Sequence, residues 1–238
     1  MRIAQRRPER AHAHAVRGKA MKKGALFDMD GLLFDTEKFF QETWNEKAAE
    51  MGITLDPQFK YRIAGTGGEA AFRAIEEFYG VEDGETLAIE VYDRVAEKVI
   101  AAATVPEKPG MREILALFKE NGVKMAVAST TEIRVVKKNI ERTGIESYFD
   151  AVLSGRGLPH GKPAPDIFLL AAEKIGIAPE DCYVFEDSVS GILAAHAGGM
   201  TPVMIPDLLQ PDEEIRKICA GVYPTLSAAA DAIRRGEI

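Results

Sequence analysis

Five short apolar runs constrain this chain more than anything else in it: 24–27, 124–128, 151–153, 183–185 and 202–205. Each is too brief for a helix, and the last four alternate with amphipathic stretches of helical spacing. Strands that alternate with helices imply right-handed crossovers and a parallel sheet covered on both faces. The expected fold class is therefore α/β, a doubly wound, Rossmann-like parallel sheet.

The first run stands apart from the other four. Residues 36–104 contain no convincing strand and show helical spacing instead, as in Trp44, Ala48 and Met51, or Leu87, Val91 and Val95. An all-helical stretch wedged into a parallel sheet is best explained as an inserted cap that sprouts from the loop after the first strand. Its hinges fall near 34–36 and 104–109. At 238 residues and 46% hydrophobic, the chain can bury a core domain and a smaller one. The expected division is a leader at 1–20, a core at 21–35 and 105–238, and a cap at 36–104. The leader carries six Lys/Arg against Glu9 and has no apolar segment for secretion. Met21 reads as the natural start, residues 1–20 as a disordered or non-native extension, and His12 and His14 within them as incidental.

With the leader basic, the rest of the chain is more acidic than the total charge of −7, and a body of that sign repels phosphate backbones. No stretch approaches the roughly 20 uninterrupted apolar residues of a membrane span. Two cysteines, Cys182 and Cys219, are too few for a disulfide framework or a thiolate metal site, which fits the reducing cytoplasm. Cys182 opens an apolar run and reads as a small buried hydrophobe. The expected protein is cytoplasmic, with neither nucleic acid nor membrane as partner; the sequence does not fix its oligomeric state, a monomer being slightly favoured.

In open α/β sheets, ligands bind beyond the carboxyl ends of the strands, so the polar groups after the apolar runs carry the functional reading. Four stand out: Asp28-Met29-Asp30-Gly31, Ser129-Thr130-Thr131, Lys162-Pro163 and Glu186-Asp187-Ser188. Asp28 and Asp30 are two apart on a chain leaving a strand, so both carboxylates can point to one side. Glu186 and Asp187 would add two more acids at the same edge. Crowded carboxylates repel unless a cation or a shared proton holds them, and an all-oxygen set selects magnesium. Ser129 and Thr130 precede a helix, where hydroxyls and free amides can bind an anion, and Lys162 supplies a cation. An anion pocket beside a metal is the equipment of phosphoryl transfer. Taken singly, these are turn residues and helix caps; four in this order, each after an apolar run, point to one site.

These residues resemble the haloacid dehalogenase superfamily of phosphotransferases, in its β-phosphoglucomutase-like branch with a helical cap. Phe27-Asp28-Met29-Asp30-Gly31 resembles its first motif and Ser129 its second. Gly161-Lys162-Pro163-Ala164-Pro165-Asp166 resembles the third, and Glu186-Asp187-Ser188 with Gly191 the fourth. The resemblance covers nearly everything from residue 22 onward. It implies that Asp28 is the nucleophile and Asp30 the general acid/base. Magnesium would be bound by Asp28, the Asp30 backbone carbonyl and Asp187, with Glu186 beside or coordinating it. A metal-held carboxylate stays ionised and can attack phosphorus, after which Asp30 protonates the leaving oxygen.

Within that resemblance the reading is a phosphatase that acts on a sugar phosphate or similar phosphomonoester through an aspartyl phosphate. The alternative is a β-phosphoglucomutase-type mutase. Mutases of this branch carry a His where this chain has Phe40, and basic residues in the cap loop, which here is Ala64-Gly65-Thr66-Gly67-Gly68. Without a cation there, a second phosphate finds little to hold it, and Arg62 and Arg73 read as solvated helix charges. Gly65 and Thr66 are expected to contact the leaving group. A remoter alternative is a non-catalytic phospho-accepting or binding module, although receiver domains are smaller and carry no helical insertion.

Overall fold

The computed structural model describes residues 19–63 and 68–238, so the first 18 residues and the cap-loop positions Gly65 and Thr66 lie outside the described residues. Strand β1 (Gly24–Phe27) is followed by four helices, α1 (Glu37–Glu50), α2 (Phe59–Ile63), α3 (Glu69–Tyr79) and α4 (Gly84–Ala101). The alternation then begins with α5 (Met111–Glu120), β2 (Lys124–Ser129), α6 (Ile133–Thr143), β3 (Ala151–Ser154) and α7 (Asp166–Ile175). It closes with β4 (Cys182–Glu186), α8 (Val189–Ala197), β5 (Thr201–Met204), α9 (Glu213–Ile218), β6 (Gly221–Val222) and α10 (Leu226–Arg234). All pairings are parallel, in the order β3-β2-β1-β4-β5-β6.

The strand runs are apolar throughout because both faces of the sheet are covered. Side chains alternate between faces, and the two cores divide accordingly. Ala25, Phe27, Met125, Val127, Tyr183 and Phe185 pack with α5 and α10, including Phe118 and Ala230. Leu26, Ala126, Ala128 and Val184 pack with Phe168 and Ala172 of α7 and Ala195 of α8. Across the central strand pair, Phe27 and Phe185 stack with centroids 4.9 Å apart.

Two features depart from the sequence reading. Strand β6 pairs with β5 but is only two residues long, too short to leave an apolar run. Strands β2 and β4 each run one residue further than expected, so Ser129 and Glu186 are final strand residues, held by the sheet, and not the first loop residues.

The four helices α1 to α4 form a cap with an aromatic core of its own. The Trp44 ring lies 5.1 Å from Phe59 and 5.5 Å from Tyr79, and the Tyr79 hydroxyl donates to the Trp44 carbonyl at 2.7 Å. The two connections to the core run side by side: Asp35 N–H donates to the Pro106 carbonyl (2.8 Å) and Lys108 N–H to that of Leu33 (2.9 Å). At the start of the described chain, the Lys19 amide donates to the Gly236 carbonyl at 2.8 Å, so the chain already packs on the body before residue 21. Among the described residues, no helix is long and apolar enough to cross a membrane.

Candidate active site

The winding reverses between β1 and β4, and at such a switch point the loops on either side diverge and leave a crevice. Phe27 is in register with Val127 of β2 and Phe185 of β4. The next residues out, Asp28, Ala128 and Glu186, therefore sit at one level of the sheet's carboxyl edge.

Lys162, from the loop before α7, lies between two of the acids. Its ammonium donates to Asp28 Oδ1 and to Glu186 Oε1, each at 2.5 Å, with all three side chains almost fully buried. Burial pushes the Asp28 carboxyl up to about 7, with Lys162 pulling it down and Glu186 and Asp30 adding to the rise. Burial works against the Lys162 charge too, yet Asp28 and Glu186 outweigh it and hold the ammonium above its ordinary value. The other Glu186 oxygen accepts from the Ser188 amide (3.0 Å) and hydroxyl (2.8 Å). A side chain at Gly191 would occupy the space of that carboxylate, so the glycine is required for Glu186 to fold back. With both oxygens engaged, Glu186 fastens Lys162 and the β4 loop.

Asp30 is gripped by hydroxyls from three places. Thr36 Oγ1 donates to its Oδ1 at 2.8 Å, and Thr131 Oγ1 (2.7 Å) and Ser129 Oγ (3.3 Å) donate to its Oδ2. Burial pushes its carboxyl up and these hydrogen bonds oppose the rise. Thr36 occupies the N-cap of α1 without a side-chain cap bond, because its hydroxyl is turned to Asp30. Sequence reasoning saw Thr36 only as a hinge position and Thr131 only as part of a polar group, since a Thr before a helix ordinarily reads as a cap. One expectation is corrected: α6 begins only at Ile133, so Ser129 and Thr130 are not at a helix start. The Ser129 hydroxyl instead accepts from the Thr131 amide at 3.0 Å, a local turn that Ser favours. Thr130 is exposed and lines the cavity described below.

Asp187 lies against Gly31, whose φ of +77° requires glycine and where a Cβ would collide with the Asp187 carboxylate. Burial pushes Asp187 well above the usual carboxylate range, with Glu186, Asp28 and Asp207 adding to the effect. Sequence reasoning missed Asp207, which follows β5 and pairs with Lys108 of the hinge at 2.6 Å. Among the described residues, no three Asp, Glu, His or Cys side chains converge as a ready-made metal cage. Magnesium does not need one, since it binds through one or two carboxylates and keeps waters and phosphate oxygens. The carboxylates of buried Asp28 and half-buried Asp187, in a surplus of negative charge that Lys162 offsets in part, fit that ion.

Above this edge lies a cavity of 650 Å³ that has Asp28, Asp30, Lys162 and Asp187 on the core side and Phe40, Trp44 and Tyr92 on the cap side. Arg62 and Arg73 do not line it; Arg62 pairs with Glu77 at 3.0 Å. Nor do His160, which meets Asp166 at 3.0 Å, and His196, exposed on α8.

A model of the family "haloacid dehalogenase-like hydrolase" matches residues 22–199. The chain is 32% identical over 179 residues to the phosphorylated carbohydrates phosphatase of Thermotoga maritima, covering 75% of this chain and 82% of the relative. It is equally 32% identical over 188 residues to the β-phosphoglucomutase of Bacillus subtilis, covering 76% and 82%. CbbY from Rhodobacter sphaeroides, solved in complex with phosphate, superposes with a TM-score of 0.71 at 25% identity, over 87% of this chain and 96% of that one. A family match spanning β1 to the end of α8 takes in all four polar loops at the sheet's carboxyl edge as well as the inserted helices, and on that footing the chain belongs to the haloacid dehalogenase-like hydrolases.

Proposed function

We propose that the chain is a magnesium-dependent phosphatase that transfers the phosphoryl group of a small phosphorylated metabolite, a sugar phosphate or similar phosphomonoester, to Asp28 and then to water. The observation that carries this reading is the pairing of Asp28 with Lys162 at 2.5 Å on the floor of a cavity roofed by the cap. The ammonium holds the carboxylate in place and offers charge to the phosphoryl oxygens that replace one of its contacts. Magnesium would be held by Asp28, Asp187 and the Asp30 carbonyl, with Glu186 beside it, and would neutralise phosphate charge during transfer.

Asp30 is the proton donor to the leaving oxygen. Its raised affinity for a proton, caused by burial, suits a group that must arrive protonated. In the second half it takes a proton from the water that cleaves the aspartyl phosphate. The hydroxyls of Thr36 and Thr131 set the direction of that carboxyl, and Ser129 joins them, with Thr130 left to meet the phosphate. Residues 36–104 act as the cap that shields the acyl phosphate, Gly65 and Thr66 being proposed as its substrate contacts.

Phe40 supports hydrolysis over the mutase alternative. It lines the cavity next to Asp30 and Glu37, where the resemblance places a His in mutases, and it offers a second phosphate neither charge nor hydrogen bond. Incubation with p-nitrophenyl phosphate, with and without magnesium, tests the reading. Magnesium-dependent phosphate release is expected. Inertness, or isomerisation of a hexose phosphate outpacing phosphate release, would reject it.

A further inference from the structure

The phosphate end of the cavity is crowded with charge; its far end is built from the cap, and one side of α1 runs along it. Glu37, Gln41 and Asn45 recur every fourth residue, so they form one stripe on the helix, and all three line the cavity. A polar stripe on a helix ordinarily faces open water. This one faces a space walled by Leu55, Ile63, Phe72 and Tyr92. Gln41 Nε2 donates to Glu37 Oε1 at 3.0 Å. Burial pushes the Glu37 carboxyl up, with Gln41 and the charge of Lys60 among the groups that pull it back.

Lys60 of α2 lines the same cavity. Of the three cations among its described lining residues, Lys162 is engaged by Asp28 and Glu186 and Arg156 by Asp93 and Glu132. Lys60 has no such ion pair, its ammonium resting 4.9 Å from the Tyr61 ring. A second phosphate would require several cations together, but Lys60 shares the cavity with Glu37 and Asp56 and lowers the Glu37 carboxyl by its charge. A carboxylate, two amides and an ammonium suit a different ligand. Each neutral hydroxyl both donates and accepts, and the apolar walls suit the C–H faces between hydroxyls.

We infer that the Glu37, Gln41 and Asn45 stripe, together with Lys60, is the leaving-group subsite and selects a polyhydroxylated carbon chain carrying a single phosphate, a sugar or sugar-alcohol monophosphate. The inference rests on the phosphatase reading above and adds to it the residues that choose the substrate. An alkyl phosphate of the same length would displace water from these polar groups without returning hydrogen bonds to them, which discriminates against it.

The test is a grid of substrates against variants. Phosphate release is measured in magnesium for wild type, Gln41→Leu and Lys60→Met, with glucitol 6-phosphate, n-hexyl phosphate and a hexose bisphosphate. In wild type, kcat/KM for the sugar-alcohol phosphate should exceed that for hexyl phosphate by about tenfold or more, and each variant should shrink the ratio by about tenfold. A ratio within one preparation is independent of the fraction folded, and the two variants lie on different helices. Ratios unchanged in both variants would overturn the subsite, as would a wild-type preference for the bisphosphate that Lys60→Met abolishes. Hydrolysis of p-nitrophenyl phosphate, which has no hydroxyls, separates the two levels. Its absence removes the phosphatase reading and the subsite with it; its presence without any polyol preference removes the subsite alone.

Discussion

The two halves of the cavity are built on opposite principles. On the core side, Asp28, Asp30, Lys162, Glu186 and Asp187 crowd the ends of neighbouring strands; Lys162 ties Asp28 to Glu186 at 2.5 Å, and the hydroxyls of Thr36, Ser129 and Thr131 hold Asp30 at 2.7 to 3.3 Å. On the cap side, helices present mainly aromatic and aliphatic walls, with a few polar groups at wide spacing. The core half is organised to stabilise charge, which demands rigid, preorganised groups. On the proposed reading, the cap half excludes water and sorts leaving groups, which demands shape and a handful of hydrogen bonds. Chemistry and selectivity are thus carried by different elements, and changes in one half should leave a signature distinct from changes in the other.

The sharpest break of that contrast is Asp28→Asn. Removing the proposed nucleophile should cost at least about 10⁴-fold in kcat on every phosphate ester alike, read as phosphate release from p-nitrophenyl phosphate and from a sugar phosphate. A variant that kept its activity on either would show that Asp28 is not the attacking group.

Asp30 comes next and should depend on the leaving group. Asp30→Asn is expected to lower kcat by about 10²- to 10⁴-fold on an alkyl or sugar phosphate and by much less on p-nitrophenyl phosphate, whose leaving group departs as a stable anion. Thr36→Val and Thr131→Val should follow the same pattern at about a tenth of normal kcat, since each removes one of the bonds that orient the acid. Equal losses on both esters would argue that the threonines merely support the fold.

The same contrast explains what could be read from the sequence. The core half was legible because strands are short and side chains at their ends inherit a position from the topology: Asp28, Asp30, Lys162, Glu186 and Asp187 could be assembled without coordinates. Strand ends were legible only to within a residue, and β6, two residues long, left no signal. Thr36 was hidden because a hydroxyl at a helix start has an ordinary use, and nothing local announces that it turns to Asp30 instead. The polar stripe at Glu37, Gln41 and Asn45 has the spacing of any solvated helix face, and only the packing of the cap over the core shows that it looks into a cavity. Gly65 and Thr66 lie outside the described residues, so the polar part of the cap's described share of the site rests on α1, α2 and the residues just before α2.

A third, smaller effect concerns stability in the protein stripped of divalent cations. Asp28 holds its proton up to about pH 7 in the folded chain, against about 4 for an unperturbed carboxyl. The native state therefore binds more protons than the unfolded state between those values, and stability must fall as pH rises through that window and level off above it. The loss is on the order of a few kcal/mol. Asp28→Asn has no such proton to lose, so in EDTA its melting temperature should match wild type near pH 4 and exceed it at pH 8. Magnesium should restore the wild type at pH 8. Wild type more stable at pH 8 than at pH 4 in EDTA, relative to the variant, would reverse the sign and defeat the assignment.

The smallest effects lie where the halves meet, and they rank the contacts between them. Arg142 of α6 reaches across to the end of α4, where its guanidinium donates to the carbonyls of Val99 and Ala102 at 2.9 Å and of Ile100 at 3.3 Å. These are the carbonyls a helix leaves without partners at its carboxyl end, and a cation there also opposes the helix dipole. Arg134, one element face away, makes an exposed pair with Glu97 of α4 at 2.7 Å, of a kind that contributes less than about 1 kcal/mol and fades with salt. Arg142→Met should therefore destabilise by about 1–3 kcal/mol, nearly independent of salt, and Arg134→Met by less than about 1 kcal/mol, vanishing at 1 M NaCl. Denaturant melts at two salt concentrations separate the two. If Arg134 proved the costlier loss, the cap would be held to the core by surface charge, and its seating over Asp28 would vary with ionic strength in a way that the half-buried Arg142 contacts forbid.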